Sequence, residues 1–284
     1  MHPETTSPLV SAEWLAERLD SPEIVVLDAT FFLPNQGRNA EQEYQAAHIP
    51  GARFFDIDVV ADRTNPLPHM LPLESSFADA VGSMGIGHHT CVVVYDRNSF
   101  MASARAWWMF RVFGHDLIYV LDGGLARWHA LGLPTRPGKE AATPQPFTAT
   151  YHPALVRELD DMLDMLGHPD AQIVDARSPG RFSGQEREPR PGLRSGHIPG
   201  SRNLFFKRLI DENSQCLKPV ADLERAFREA GIDPHSPVTA TCGSGVTAAI
   251  LALGLYGLGN EYAAVYDGSW SEWGQREETP IGTG

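Results

Sequence analysis

The sequence predicts an α/β protein built as two tandem copies of one domain, each a mostly parallel sheet flanked by helices. Three observations carry this: an internal repeat, short apolar runs alternating with helical patterns, and a proline-rich stretch between the copies. "AAHIPGARFF" at 46–55 answers "RSGHIPGSRNLFF" at 194–206, with HIPG starting at 48 and 197, an offset of 149. "VVLDA" ending at Ala29 answers "QIVDA" ending at Ala176, an offset of 147, and "YVLDGGLARW" from 119 answers "AVYDGSWSEW" from 264, an offset of 145. Units of about 145 residues are too long for solenoid repeats and suit duplicated domains. The boundaries follow: 1–134 for the first copy, 135–152 for a linker rich in proline, threonine and alanine, and 153–284 for the second.

In chain order, "EIVVLDA", "CVVVYD" and "LIYVLD" in the first copy match "QIVDA", "PVTATC" and "YAAVYD" in the second. Near-continuous apolar runs of this length suit parallel strands buried on both faces. Helical patterns lie between them: "SAEWLAERL" with Ser11 as its N-cap, "SARAWWMFRVFG", "VRELDDMLDMLG", "DLERAFREAG" and "VTAAILALGLYGLG", several ending at glycine. Trp107, Trp108, Phe110 and Phe113 are read as a helix packing on its sheet, because aromatics at that spacing are core residues.

Composition excludes several classes. The formal charge is -13, which argues against nucleic acid or an anionic membrane as the main partner. No apolar run reaches the length of a membrane span, and the opening residues lack a signal core, so a cytoplasmic protein is expected. Cys91, Cys216 and Cys242 are odd in number, far apart and without CxxC spacing, which speaks against a disulfide framework or a zinc site.

Cys242 stands apart from the other two. "SPVTATC" followed by "GSGVTAAILALG" reads as strand, turn and helix, with Cys242 at the strand's carboxyl end, where open parallel sheets bind their ligands. Gly243 and Gly245 let the backbone curl so that successive amides point inward, and the following helix adds its positive end. A thiolate is stabilised in such a place, and the thiolate is the nucleophile. Cys91 and Cys216 lack these surroundings and are read as buried apolar fillers. Alignment of the copies puts Asp96 opposite Cys242, at an offset of 146, so the first copy has no nucleophile and the chain has one active centre. A phosphatase loop of this shape carries arginine at the sixth position after cysteine; that position is Ala248, and the phosphate clamp is missing. A cysteine protease needs a histidine beside the thiol, and no protease signature is present.

Two tandem copies with HIPG in each, "CGSGVT" in the second and aspartate in its place in the first, resemble the two-domain rhodanese sulfurtransferases. The resemblance runs from "LVSAEWLAERL" to "DGSWSEWG", nearly the whole chain, and implies two tandem rhodanese-like domains. The Gly-Ser-Gly after the cysteine is similar to the 3-mercaptopyruvate branch of that family; the thiosulfate enzymes carry basic residues there. The resemblance implies that Cys242 carries a persulfide, that Arg181 and Arg190 of "RFSGQEREPR" hold the donor's carboxylate and keto oxygen, and that the amides of Gly243, Ser244, Gly245, Val246 and Thr247 stabilise the sulfur anion. Two guanidinium groups on one loop suit a small 2-oxo acid anion. It further implies that "FFDID" and "PLPHMLP" lend Asp58 and His69 from the first domain, forming a relay with Ser244. His48 and His197, present in both HIPG turns, are structural.

The expected activity is therefore sulfur transfer from 3-mercaptopyruvate to a thiol acceptor such as thioredoxin, or to cyanide, by a monomer needing no metal or organic cofactor. The rival within the family is thiosulfate sulfurtransfer through the same cysteine, which predicts basic residues where Ser244 and Gly245 stand. The rival from another class is a non-catalytic sulfur-binding or interaction module using the fold as a scaffold.

Overall fold

The computed structural model describes residues 7–284 and divides into two compact units. Of the described residues the first comprises 7–62, 71–152 and 211–217, and the second 63–70, 153–210 and 218–284, so two short segments pack with the unit that the repeat does not assign them to.

In the first unit the order is β1 (Leu9–Val10), α1 (Ala12–Ala16), β2 (Ile24–Asp28), α2 (Ala40–Ala46), β3 (Arg53–Phe54), α3 (Glu74–Ser83), β4 (Cys91–Tyr95), α4 (Ser103–Val112), β5 (Ile118–Leu121) and α5 (Gly124–Ala130). The sheet runs β1-β5-β4-β2-β3, and every pairing is parallel. The second unit repeats the plan with β6 (Val156–Arg157), α6 (Leu159–Asp164), β7 (Ile173–Asp175), α7 (Pro179–Ser183), β8 (Arg202–Asn203), α8 (Val220–Glu229), β9 (Thr239–Thr241), α9 (Ala248–Gly257), β10 (Ala264–Tyr266) and α10 (Ser269–Trp273). Its sheet, β6-β10-β9-β7-β8, is again all parallel and has the same order.

All six expected strands are present, and β2, β4, β7, β9 and β10 are buried along their whole length, as near-continuous apolar and β-branched runs suit. Ser11 caps α1, its hydroxyl accepting the Trp14 amide at 3.1 Å. The edge strands β1, β3, β6 and β8 have two residues each, too short to leave a hydropathy signal. One expectation is corrected here: Val156 and Arg157, read as the start of a helix, pair in parallel with Val265 and Tyr266, and α6 begins only after Glu158. A sheet edge offers these two residues backbone partners that the start of a helix does not.

α4 is buried on all sides; Trp107, Trp108, Phe110 and Phe113 are at most 1% exposed, and Arg105 and Arg111 survive in this core by stacking on Trp108 and Trp107. α9 is likewise apolar all round and buried from Ala248 to Leu255. His48 and His197 play the structural part expected of them: each Nδ1 bonds a backbone carbonyl, of Tyr44 at 2.9 Å and of Phe182 at 2.8 Å, and each ring stacks on the side chain of that same residue. The 135–152 stretch lies along the first unit, with Arg136 bridging to His48 and the Gln145 amide donating to the Gly82 carbonyl.

Cys91 is fully buried in β4, and burial pushes its thiol up to about 11. Because the folded value lies above the ordinary 9.0, the thiol favours the fold at all pH below about 9, and that contribution is lost as the pH rises through about 11. An alkylating reagent at pH 8 is expected to leave Cys91 unmodified until denaturant is added, read by peptide mass mapping; rapid native labelling of Cys91 would contradict its burial. Cys216 departs from the filler reading: it is only partly buried, its Sγ lies 3.6 Å from the Ser214 carbonyl, and burial followed by the Asp122 carboxylate raises its thiol.

Candidate active site

In the second unit β7 and β9 are neighbours, but their connections leave in opposite directions, β7 to β8 on one side and β9 to β10 on the other. The carboxyl ends of such a pair form the crevice of a topological switch point. Cys242 follows β9 directly, and Asp175 ends β7.

Residues 243–247 form the loop between Cys242 and α9, so the helix starts at Ala248, two residues later than its apolar pattern suggests. Gly245 has φ +72°, a left-handed conformation that glycine adopts without a steric cost. Cys242 is 2% exposed and Ser244 7%. The loop is held from beneath by Ser269. Its hydroxyl accepts the Cys242 amide at 3.2 Å and the Gly245 amide at 3.0 Å, and donates to the Tyr266 carbonyl at 2.8 Å, with the Thr241 hydroxyl a longer donor to it at 3.4 Å. Ser271 closes the other side, its amide and hydroxyl both donating to the Gly243 carbonyl. Ser269 itself sits at φ 49°, unfavourable for a residue with a Cβ, and its fully buried hydrogen bonds hold it there.

The first unit shows what this loop does without a cysteine. Asp96 is buried, and its carboxylate accepts the amides of Asn98, Phe100, Ala102 and Ser103 at 2.9 to 3.2 Å. Burial pushes the Asp96 carboxyl up, and these amides work in the opposite direction. Gly124 takes the place of Ser269 at φ +52°, where a Cβ would lie 2.4 Å from the Asp96 carbonyl oxygen. The loop after the fourth strand is thus a cradle of amides around an anion, satisfied by the chain's own carboxylate in one copy.

Arg181 lies over the loop: its Nη2 is 3.0 Å from where a Cβ on Gly243 would stand, so a side chain there would push the guanidinium aside. Its Nε and Nη2 donate to the two oxygens of Glu188 at 3.2 and 2.5 Å. Glu188, with its side chain 1% exposed, also takes Arg177 Nη1 at 2.8 Å. Arg177 is fully buried, forks onto Asp175, donates to the Gly196 carbonyl and stacks on Trp270. Burial opposes its charge, but Asp175 and then Glu188 outweigh it, and the net direction for Arg177 is upward.

Arg190 Nη2 is 3.3 Å from Ser244 Oγ and 3.4 Å from His69 Nε2. A guanidinium only donates, so Nε2 is the acceptor in this contact. His69 lies in the 63–70 segment that packs with the second unit, and it is 7% exposed with φ 61°. The structure therefore brings Cys242, Ser244, His69, Arg181 and Arg190 together at the 243–247 loop, with one correction: the Gly245 amide, expected to face the sulfur, donates instead to Ser269 Oγ, whose buried hydroxyl is the nearer acceptor. Asp58 belongs to the first unit, where it is exposed and its amide donates to Asp56 Oδ1. The sequence reading missed Ser269, Glu188 and the Asp175–Arg177 pair. Only Ser269 left a signal, as the serine that replaces Gly124 when the copies are aligned.

The rhodanese-like domain profile matches twice, over residues 11–131 and 158–276. The chain belongs to the rhodanese family. Among curated rhodanese-family relatives, the 3-mercaptopyruvate sulfurtransferase of Escherichia coli K12 is 42% identical over 278 residues, covering 98% of each chain. The thiosulfate sulfurtransferase of Cricetulus griseus is 45% identical over 273 residues, 93% of this chain and 91% of the relative. Among solved structures, SseA of Escherichia coli, described as a 3-mercaptopyruvate sulfotransferase with the rhodanese fold, matches with a TM-score of 0.85 at 40% identity, over 94% of this chain and all of that one. Among the described residues no helix is long and apolar enough to cross a membrane.

The rhodanese-family loop depends on Ser269 for its shape. Ser269→Ala leaves two buried amides without their acceptor, a cost of about 1–3 kcal/mol. The expected result is a lower midpoint in urea and a roughly tenfold slower first sulfur transfer, since a displaced loop loses its alignment with the reacting sulfur. Unchanged single-turnover kinetics would show that Ser269 is not needed to shape the loop.

Proposed function

We propose that the chain is a sulfurtransferase that takes sulfur from 3-mercaptopyruvate on Cys242 and passes it to a thiol such as that of thioredoxin, or to cyanide. The single observation that carries this reading is Cys242 in an amide-lined loop with Gly-Ser-Gly between Arg181 and Arg190. In the first step the Cys242 thiolate attacks the donor sulfur, the carbon–sulfur bond breaks, and its electron pair leaves on the enolate of pyruvate. The proton of the donor thiol ends on the enolate carbon, so Cys242 holds a persulfide anion and pyruvate is released. In the second step an acceptor thiol leaves as its persulfide, or cyanide as thiocyanate, and the thiolate returns.

Each neighbour has a part. Arg181 and Arg190 hold the carboxylate and the keto oxygen, where charge develops as the enolate forms. The amides of Gly243, Ser244, Val246 and Thr247 stabilise the sulfur anion, the role that the Asp96 cradle performs for a carboxylate; the Gly245 amide is taken by Ser269. Ser244 and His69 carry the proton between sulfur and carbon. The donor's carboxylate draws Arg190 away from its resting contacts with Ser244 and His69. The three thiols are unpaired, which suits a reducing compartment such as the cytoplasm, and the active species is taken as a monomer.

The thiosulfate reading is favoured by one observation, the 45% identity to the Cricetulus griseus enzyme. Against it, the loop puts Ser244 and Gly245 where a dianion calls for basic side chains. The test is exposure to each donor in turn, with intact-mass measurement of an added sulfur on Cys242 and steady-state kinetics for both. A higher kcat/KM for thiosulfate would reverse the donor assignment, and no added sulfur from either would end the carrier reading.

A further inference from the structure

The buried carboxylate of Glu188 has no part in the transfer chemistry, yet it grips one of the arginines that hold the donor. We propose that Glu188 sets donor specificity: it removes one unit of positive charge from the donor site, so that a 2-oxo monocarboxylate is preferred to a dianion such as thiosulfate. The inference rests on the sulfurtransferase reading above and deepens it.

The observations are geometric. Asp175 is forked by Arg177, which compensates one buried pair. Glu188 spans Arg177 and Arg181, so that among these four side chains two positive and two negative charges balance. Arg190, near Ser244 and His69, is a further guanidinium at the loop. Glu188 also consumes the Nε–Nη2 edge of Arg181, which leaves the Nη1 side to meet a ligand and fixes the plane of the guanidinium. Arg181 is thus an oriented donor of hydrogen bonds whose charge is already answered.

Coulomb energy scales with the charge of the ligand. Any potential that Glu188 imposes on the site acts twice as strongly on a dianion as on a monoanion, and a side chain that is 1% exposed is poorly screened. Removing the charge while keeping the shape, as in Glu188→Gln, therefore raises affinity for both donors electrostatically but favours the dianion by the extra factor. Loss of the Arg181 fork acts on the rates by a separate route, and Glu188→Asp, which disturbs the fork but keeps the charge, controls for it.

The experiment measures kcat/KM for thiosulfate and for 3-mercaptopyruvate in the wild type, Glu188→Gln and Glu188→Asp. In Glu188→Gln the thiosulfate to mercaptopyruvate ratio is expected to rise about tenfold, with the change in KM. Glu188→Asp, which keeps the charge and shortens the reach, is expected to slow both donors while leaving the ratio near the wild-type value. A parallel fall for both donors in Glu188→Gln would mark a merely structural role and overturn the proposal. Should Glu188→Gln not fold, competition in the wild type decides: pyruvate is expected to inhibit at lower concentration than sulfate, and tighter inhibition by sulfate would overturn it. Persulfide formation on wild-type Cys242 is scored separately, so failure of this inference leaves the carrier reading intact and the reverse is equally visible.

Discussion

Cys242→Ser is expected to lower sulfur transfer from either donor by about a thousandfold or more, to the background of the uncatalysed reaction. A serine hydroxyl is a far weaker nucleophile than a thiolate and forms no persulfide, so both half-reactions are lost together rather than one being slowed. The fold should be unchanged, because the Cys242 amide and carbonyl, not its sulfur, hold the loop to Ser269 and Trp270. Circular dichroism and the urea midpoint serve as controls for that, and mass measurement after donor exposure should find no added sulfur. Residual transfer above about a tenth of the wild-type rate would move the nucleophile elsewhere and revive the reading of the loop as a binding module.

The second large effect concerns stability. Arg177→Met should destabilise the second unit by about 3–5 kcal/mol, since it strands Asp175 and Glu188, both with side chains about 1% exposed, with only Arg181 between them. Denaturant unfolding measures the loss, and a deficit below about 1 kcal/mol would show that neither the buried ion pairs nor the stack on Trp270 holds this unit together.

The fold was largely legible because duplication made the sequence its own control. Strands such as "CVVVYD" and "PVTATC" are short, apolar and repeated at a fixed offset, and burial on both faces leaves that signature directly in composition. The two-residue edge strands were not legible. Val156 and Arg157 become a strand only because β10 offers them partners, a fact about the sheet rather than about those two residues. The site divides in the same way: Cys242 and its glycines announce themselves through local backbone requirements, whereas Glu188 looks like one more charge in "RFSGQEREPR".

The sequence by itself determined the class of the protein, its two copies, the lone cysteine loop and the absence of a nucleophile where Asp96 stands. These are properties of neighbouring residues, governed by periodicity, by glycine's conformational freedom and by comparison of one copy with the other. Only the tertiary structure decided that Ser269 supports the loop, that Arg190 lies within reach of both Ser244 and His69, and that Glu188 answers the charge of Arg181. Those contacts join residues 7 to 121 positions apart, and their strength comes from burial, which no local pattern of charges records.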